Sequence, residues 1–253
     1  MTKFNEIVED VTKIDKNLLT SFKLKDTLNT KLWDGDKLNT TVRNNLVKIA
    51  YNFFKSLELE VDQPIKIWDI VLTGSMANYN WSEYSDLDVH IKLDFKDINV
   101  DEVLVKKMFD LARWKWNDIH DIDIYDIPVE LYVEDVDEDH TSSGLYSLAK
   151  DKWISIPPKD KFKIDISDIK SKANSYMGVI PYLEKLKNDE DYIKIIQTVD
   201  IVIEKLKKMR KIGLSTDGEF SVENLAFKIL RRNNFIGEIL ELKNFAYDKS
   251  LSL

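Results

Sequence analysis

Residues 86–93, DLDVHIKL, alternate without a break: Leu87, Val89, Ile91 and Leu93 fall on one side, and Asp86, Asp88, His90 and Lys92 on the other. A period of two marks a β-strand with one buried face. The pattern fixes which side chains enter the core. It also sets two carboxylates, at positions i and i+2, in one outer row. Neighbours in such a row stand roughly 6–7 Å apart. Two carboxylates that close repel unless a cation offsets them, and a divalent cation with hard oxygen ligands does this best.

Other segments supply partners for that strand. Residues 65–72, IKIWDIVL, read as a buried strand that Gly74 breaks. PVELYV (128–133) alternates again, with Val129, Leu131 and Val133 toward the core and Glu130 and Tyr132 away from it. Helical spacing appears over 3–14, over 40–57 (Val42, Leu46, Ile49, Ala50, Phe53 and Leu57, with Asn39 or Thr40 as cap) and over 100–117. In the last of these, Val100, Leu104, Met108 and Leu111 are expected to face inward, behind a cap at Asn99. The acidic run EDVDED (134–139) reads as a solvated loop. Residues 141–158 read as a loop with a short element. Beyond Pro157 and Pro158 the period is helical, over 168–186, 191–211, 221–231 and 234–248. The expected fold class is therefore α+β: a mixed sheet flanked by helices over 1–158, then an α-helical domain over 159–253.

Composition narrows the chemistry. The 253 residues contain no cysteine and only His90, His120 and His140 as histidines. Thiolate zinc sites, cysteine nucleophiles and His-rich metal motifs are excluded, which leaves carboxylates as the expected metal ligands. A net charge of −8 disfavours long nucleic acid, and no DNA partner is expected. No run approaches the ~18 apolar residues of a membrane span, and MTKFNEIVED lacks the apolar segment of a secretory signal. A cytoplasmic protein without a membrane partner is expected.

Gly74-Ser75 ends the strand that precedes the aspartate pair. A glycine there lets a phosphate approach the backbone, and a helix starting just after it would turn free N–H groups toward phosphate oxygens. Ser75 adds a hydroxyl. A phosphate cradle beside a divalent-metal site suits a nucleoside triphosphate carrying Mg²⁺.

Residues 74–88, GSMANYNWSEYSDLD, resemble the signature of the polymerase-β-like nucleotidyltransferase superfamily: Gly-Ser at a strand end, then an Asp-apolar-Asp strand, then an acidic residue from a neighbouring strand. Twelve positions separate Gly74 from Asp86, as in short members, and Ser85 before the first aspartate is usual there. The resemblance covers about residues 65–133. WDGDKLNTTVRNNLVKIAYNFF and SSGLYSLAKDKW are similar to a bacterial and phage subgroup. The resemblance implies a mixed-sheet nucleotidyltransferase fold and transfer of a nucleoside monophosphate from an NTP, with ATP the expected nucleotide, to a hydroxyl acceptor with release of pyrophosphate. It implies Asp86, Asp88 and Glu130 as catalytic metal ligands for Mg²⁺ or Mn²⁺. Gly74 and Ser75 would hold the β/γ-phosphates. The acceptor stays open among an RNA end, a second nucleotide, a protein and a small molecule.

The chain departs from the pattern in places. Tyr79 stands where many short members have a second glycine, and Met76 and Asn78 where arginines often succeed Gly-Ser. Asn78 and Asn80 are then the expected hydrogen-bond donors of the cradle. Lys228, Arg231 and Arg232 are candidate triphosphate clamps, set against the plainer reading of a solvated helix face. His90 either touches phosphate or makes a peripheral hydrogen bond. Tyr132 either lines the cleft or packs. Trp81 and Tyr84 either stack on a base or anchor their loop. Asp121, Asp123 and Asp126 compete with Glu130 for the third carboxylate, but precede the apolar strand and lack the Gly and final Glu of a calcium loop. Two alternatives to an enzyme remain open: a catalytically silent nucleotide- or partner-binding module, and a toxin–antitoxin-like protein that acts on another protein.

Overall fold

The computed structural model describes residues 14, 16–57, 65–140, 142–159 and 164–252. The expected helix over 3–14 lies, but for Ile14, outside the described residues. The chain forms two compact units: Lys23–Lys161, and the described residues before Lys23 together with those after Lys161. The short helix α1 (Lys16–Thr20) thus belongs with the C-terminal helices, and the sheet unit begins at residue 23 rather than at residue 1.

In the sheet unit, β1 (Trp33–Asp34) and β2 (Lys37–Leu38) form a small hairpin. Helix α2 (Thr40–Ser56) comes next, capped by Asn39, whose Oδ1 accepts from Thr41 N–H at 2.9 Å. Val42, Leu46, Ala50 and Phe53 are its buried stripe, the spacing read from the sequence. A six-stranded mixed sheet comprises β3 (Ile67–Thr73), β4 (Leu87–Leu93), β5 (Asp123–Ile124), β6 (Ile127–Asp135), β7 (Leu145–Ser147) and β8 (Lys152–Ser155), in the order β5-β6-β4-β3-β7-β8. Among the described residues, only the β4–β6 pair is parallel, and helix α3 (Glu102–Ile119) lies in the connection between them. Such a crossover is what joining parallel neighbours requires.

Leu87, Val89, Ile91 and Leu93 are wholly buried, and with Ile70, Leu72, Leu131 and Val133 they build the core under one face of the sheet. The opposite face carries the alternate set: Asp88, His90 and Lys92 from β4, and Glu130, Tyr132 and Glu134 from β6.

Several expectations change. In α3, Val105 and Phe109 are buried, whereas Leu104, Met108 and Leu111 are exposed, as is Val100 just ahead of the helix, to 95%. The helix is apolar on two sides, and packing selects the other one. Its cap is Asp101, which accepts from Leu104 N–H at 3.0 Å, while Asn99 accepts from Asp101 N–H. Residues 141–158 contain the β7–β8 hairpin, whose Tyr146 and Trp153 pack on Trp33 at ring distances of 5.1 and 4.8 Å. The acidic run is only partly a loop: Glu134 and Asp135 end β6 and are buried, and Asp135 accepts from Phe95 N–H at 2.8 Å.

The helical unit adds α4 (Ile166–Met177), α5 (Ile180–Asn188), α6 (Tyr192–Thr216), α7 (Val222–Arg232) and α8 (Phe235–Leu251). The span 168–186 is two helices, because the chain turns at Gly178 and Pro181 opens the next helix at its first turn. Ile169, Leu183, Val199, Ile229 and Ile239 lie in its core. Among the described residues, no helix is long and apolar enough to cross a membrane.

Candidate metal centre

The parallel register sets Asp88 opposite Glu130. Asp86 precedes β4 and adds its carboxylate to theirs: Asp86, Asp88 and Glu130 each offer an oxygen, and the three oxygens lie within 4.8 Å of one another. All three residues are half-buried. At that separation, and an effective dielectric of about 20, each ionised pair repels by roughly 3 kcal/mol. The leucine and valine positions between them are locked in the core, so the carboxylates cannot easily separate. Three convergent hard oxygens on a rigid support fit a divalent ion of the Mg²⁺ or Mn²⁺ kind. Asp121, Asp123 and Asp126 are not part of this group.

Gly74 adjoins the group for a steric reason. Its φ is +72°, and a Cβ at that position would lie 1.9 Å from Asp88 Oδ2. Only glycine gives the backbone this turn while leaving room for the carboxylate. The next residues, Ser75–Ala77, form a single 3-10 turn rather than a longer helix; the Ala77 and Asn78 N–H groups bond back to the Gly74 and Ser75 carbonyls. Ser75 Oγ donates to Ser85 Oγ at 2.7 Å, and Ser85 Oγ accepts from Ser82 N–H. Ser85, the residue before Asp86, is thereby tied to the turn that follows Gly74.

Asn78 does not fit the donor role expected of it. It is 1% exposed, its Nδ2 donates to Ser143 Oγ at 2.7 Å, and its Oδ1 accepts from Tyr79 N–H. Asn80 is buried too. Trp81 anchors its loop, with Nε1 donating to the Thr27 carbonyl at 2.9 Å. Lys228, Arg231 and Arg232 belong to α7 in the helical unit. There Arg232 donates from Nη1 to Ser21 Oγ at 2.9 Å and lies over the Phe22 ring.

Beside the carboxylate group, Tyr132 donates its hydroxyl to Glu130 Oε2 at 2.5 Å. Burial, together with the charges of Glu130 and Asp88, holds its phenol far above the usual range, so it stays a donor. Arg113 lies 4.5 Å over the Tyr132 ring. His90 turns along the sheet to Glu134: Nδ1 is 2.8 Å from Oε2, and its ring stacks on Tyr132 at 4.8 Å. His140 brings Nε2 to 2.9 Å from Glu134 Oε1. Burial opposes ionisation of Glu134, but the two histidines outweigh it and hold the carboxyl near 2. Sequence reading missed Glu134 and His140. Glu134 continues the period of Glu130 and Tyr132; His140, on a loop, left no such signal.

Comparison with protein-family models, with curated proteins and with solved structures returns no match.

Proposed function

We propose that the chain is a metal-dependent nucleotidyltransferase that moves a nucleoside monophosphate from an NTP to a hydroxyl acceptor. The observation that carries this reading is the convergence of Asp86, Asp88 and Glu130 across the β4–β6 pair, next to a glycine turn that Asp88 itself fills. In the reaction, the acceptor oxygen bonds to the α-phosphorus, the bond from that phosphorus to the β-bridging oxygen breaks, and pyrophosphate leaves. Bound Mg²⁺ or Mn²⁺ supplies charge stabilisation to the entering and leaving oxygens. Asp86 and Asp88 would hold the ions, and Glu130 would complete the site for the acceptor hydroxyl. With Glu130 Oε2 engaged by Tyr132, Oε1 is the oxygen left to face the acceptor hydroxyl and take its proton. The Gly74 turn lets the Asp88 carboxylate stand against the backbone.

A second reading, a nucleotide-binding module without turnover, has its own support. The Ser75 hydroxyl and the Asn78 amide, expected donors to the triphosphate, are engaged inside the fold. Incubation with each labelled NTP and Mg²⁺ or Mn²⁺, over a panel of acceptors, separates the two. Pyrophosphate release that disappears in Asp86→Ala and Asp88→Ala supports the transferase; nucleotide binding with no release on any acceptor supports the module.

A further inference from the structure

His90, Glu134 and His140 form a second side-chain cluster on the same sheet face, and the carboxylate chemistry above does not use it. Each offers one ligand atom, and the three atoms lie within 4.8 Å of one another. We infer that this cluster is a separate metal centre, built for a transition ion of the zinc class rather than for Mg²⁺.

The donor set points to that class. Two imidazole nitrogens and one carboxylate suit Zn²⁺, Co²⁺ or Fe²⁺, whereas Mg²⁺ and Ca²⁺ take oxygen alone. Burial points the same way. The Glu134 side chain is 9% exposed and that of His140 12%. Glu134 Oε1 and His140 Nε2 are both inaccessible to solvent, and among the described residues neither has a hydrogen-bond partner, although they stand only 2.9 Å apart. The two atoms share an ion-pair contact but lie outside hydrogen-bond geometry, and buried polar atoms are seldom left without a hydrogen bond. An ion accepted by both satisfies them together.

The support is rigid. His90 and Glu134 sit on the parallel β4–β6 pair, His90 opposite Tyr132 and Glu134 opposite Lys92. His90 is braced by its stack on Tyr132, and the His140 ring lies 5.7 Å from that of His90. His90 lies two residues beyond Asp88, so the two centres are separated by about one strand repeat, roughly 7 Å. An ion at the second centre ties the loop after β6, through His140, to the strands that carry the first. Lys92 opposes it. Its Nζ is 3.6 Å from Glu134 Oε1, too far for a hydrogen bond but near enough to repel a cation.

The test uses the full chain, stripped with a chelator and titrated with Co²⁺, then Zn²⁺. The expected result is one equivalent of Co²⁺ with the visible ligand-field spectrum of a histidine-containing site, displaced by Zn²⁺. Asp88→Asn and Glu130→Gln retain that spectrum. Glu134→Gln and His140→Gln lose it, with affinity falling by more than the about 10- to 100-fold typical of an outer-shell change. Lys92→Met binds more tightly than the parent. Melting of each chelated variant checks that its fold persists; if His140→Gln is unfolded, His90→Gln takes its place. The inference is overturned if the stripped parent takes up neither ion at about 0.1 mM, or if folded Glu134→Gln and His140→Gln bind Co²⁺ like the parent. Either result leaves the Mn²⁺ and pyrophosphate readouts of the carboxylate centre untouched, so the two readings fail independently.

Discussion

Asp88 occupies the space that a side chain on residue 74 would need: a Cβ on Gly74 would come within 1.9 Å of its Oδ2. The glycine turn and the carboxylate are therefore one steric unit. Gly74→Ala must abandon a φ of +72° or push Asp88 aside. We expect a loss of about 1–3 kcal/mol in stability together with weakened Mn²⁺ binding, read by thermal melting and by isothermal titration. A folded variant with unchanged melting and unchanged Mn²⁺ affinity contradicts the coupling.

The carboxylate group stores repulsion that a cation relieves. Asp88→Asn is therefore expected to stabilise the metal-free protein by about 1 kcal/mol, or roughly 2–4 °C, while removing pyrophosphate release. Added Mn²⁺ should raise the melting temperature of the parent and not of the variant. A variant less stable than the parent in chelator shows that Asp88 is a structural residue instead.

Tyr132→Phe removes the donor to Glu130 Oε2 and leaves the ring, its stack on His90 and its contact with Arg113. Orientation of Glu130 then rests on the strand alone. Mn²⁺ affinity should fall about 10-fold, the scale of an outer-shell change, with little change in melting. Electron paramagnetic resonance of free Mn²⁺ during titration measures this directly.

Tyr146 gives a pH dependence remote from the metal groups. Its side chain is buried, its hydroxyl donates to Asp151 Oδ1 at 2.8 Å, and burial, reinforced by that carboxylate, pushes its phenol up to about 12. The unfolded chain ionises this group near its ordinary 10. The folded state thus binds the proton more tightly, a stabilisation fully present below pH 10 and lost as pH rises toward 12. Tyr146→Phe should show a shallower fall in melting temperature over that window than the parent. Equal slopes count against the phenol as the cause.

Helix α3 offers a contrast between two apolar residues. Phe109 is 1% exposed and Leu111 is 68% exposed. Phe109→Ala should cost about 3–5 kcal/mol, and Leu111→Lys should change stability by no more than about 0.5 kcal/mol. Urea titration of both variants reads the difference, and comparable losses would put Leu111 in a buried position.

Strand alternation made most of the site's geometry readable in advance. In DLDVHIKL and PVELYV the period assigned Asp86, Asp88 and Glu130 to one face, because a strand leaves a side chain only two choices. It could not say which strands are neighbours or in what register, and that is what sets Glu130 opposite Asp88. The facing of α3 was misread for a related reason. Leu104, Met108 and Leu111 form one apolar stripe, and Val105, Phe109 and Ala112 another; periodicity alone does not say which one the sheet covers. Asn78 was misread because a polar residue beside a glycine turn looks like a donor to ligand, whereas its partners Ser143 and Tyr79 become visible only in three dimensions. Charge misled at 134–139, where Glu134 is hidden by histidines that approach it from other segments of the chain.

The parallel ladder of β4 and β6 works as a shared ruler. Asp88–Glu130 is one rung and Lys92–Glu134 another, so a single inserted residue in β6 ahead of Glu130 would rotate both acids into the hydrocarbon interior and dismantle both clusters in one event. Length changes within the α3 crossover leave every rung in place. Variation in this molecule is therefore cheap between the two strands and prohibitive within them.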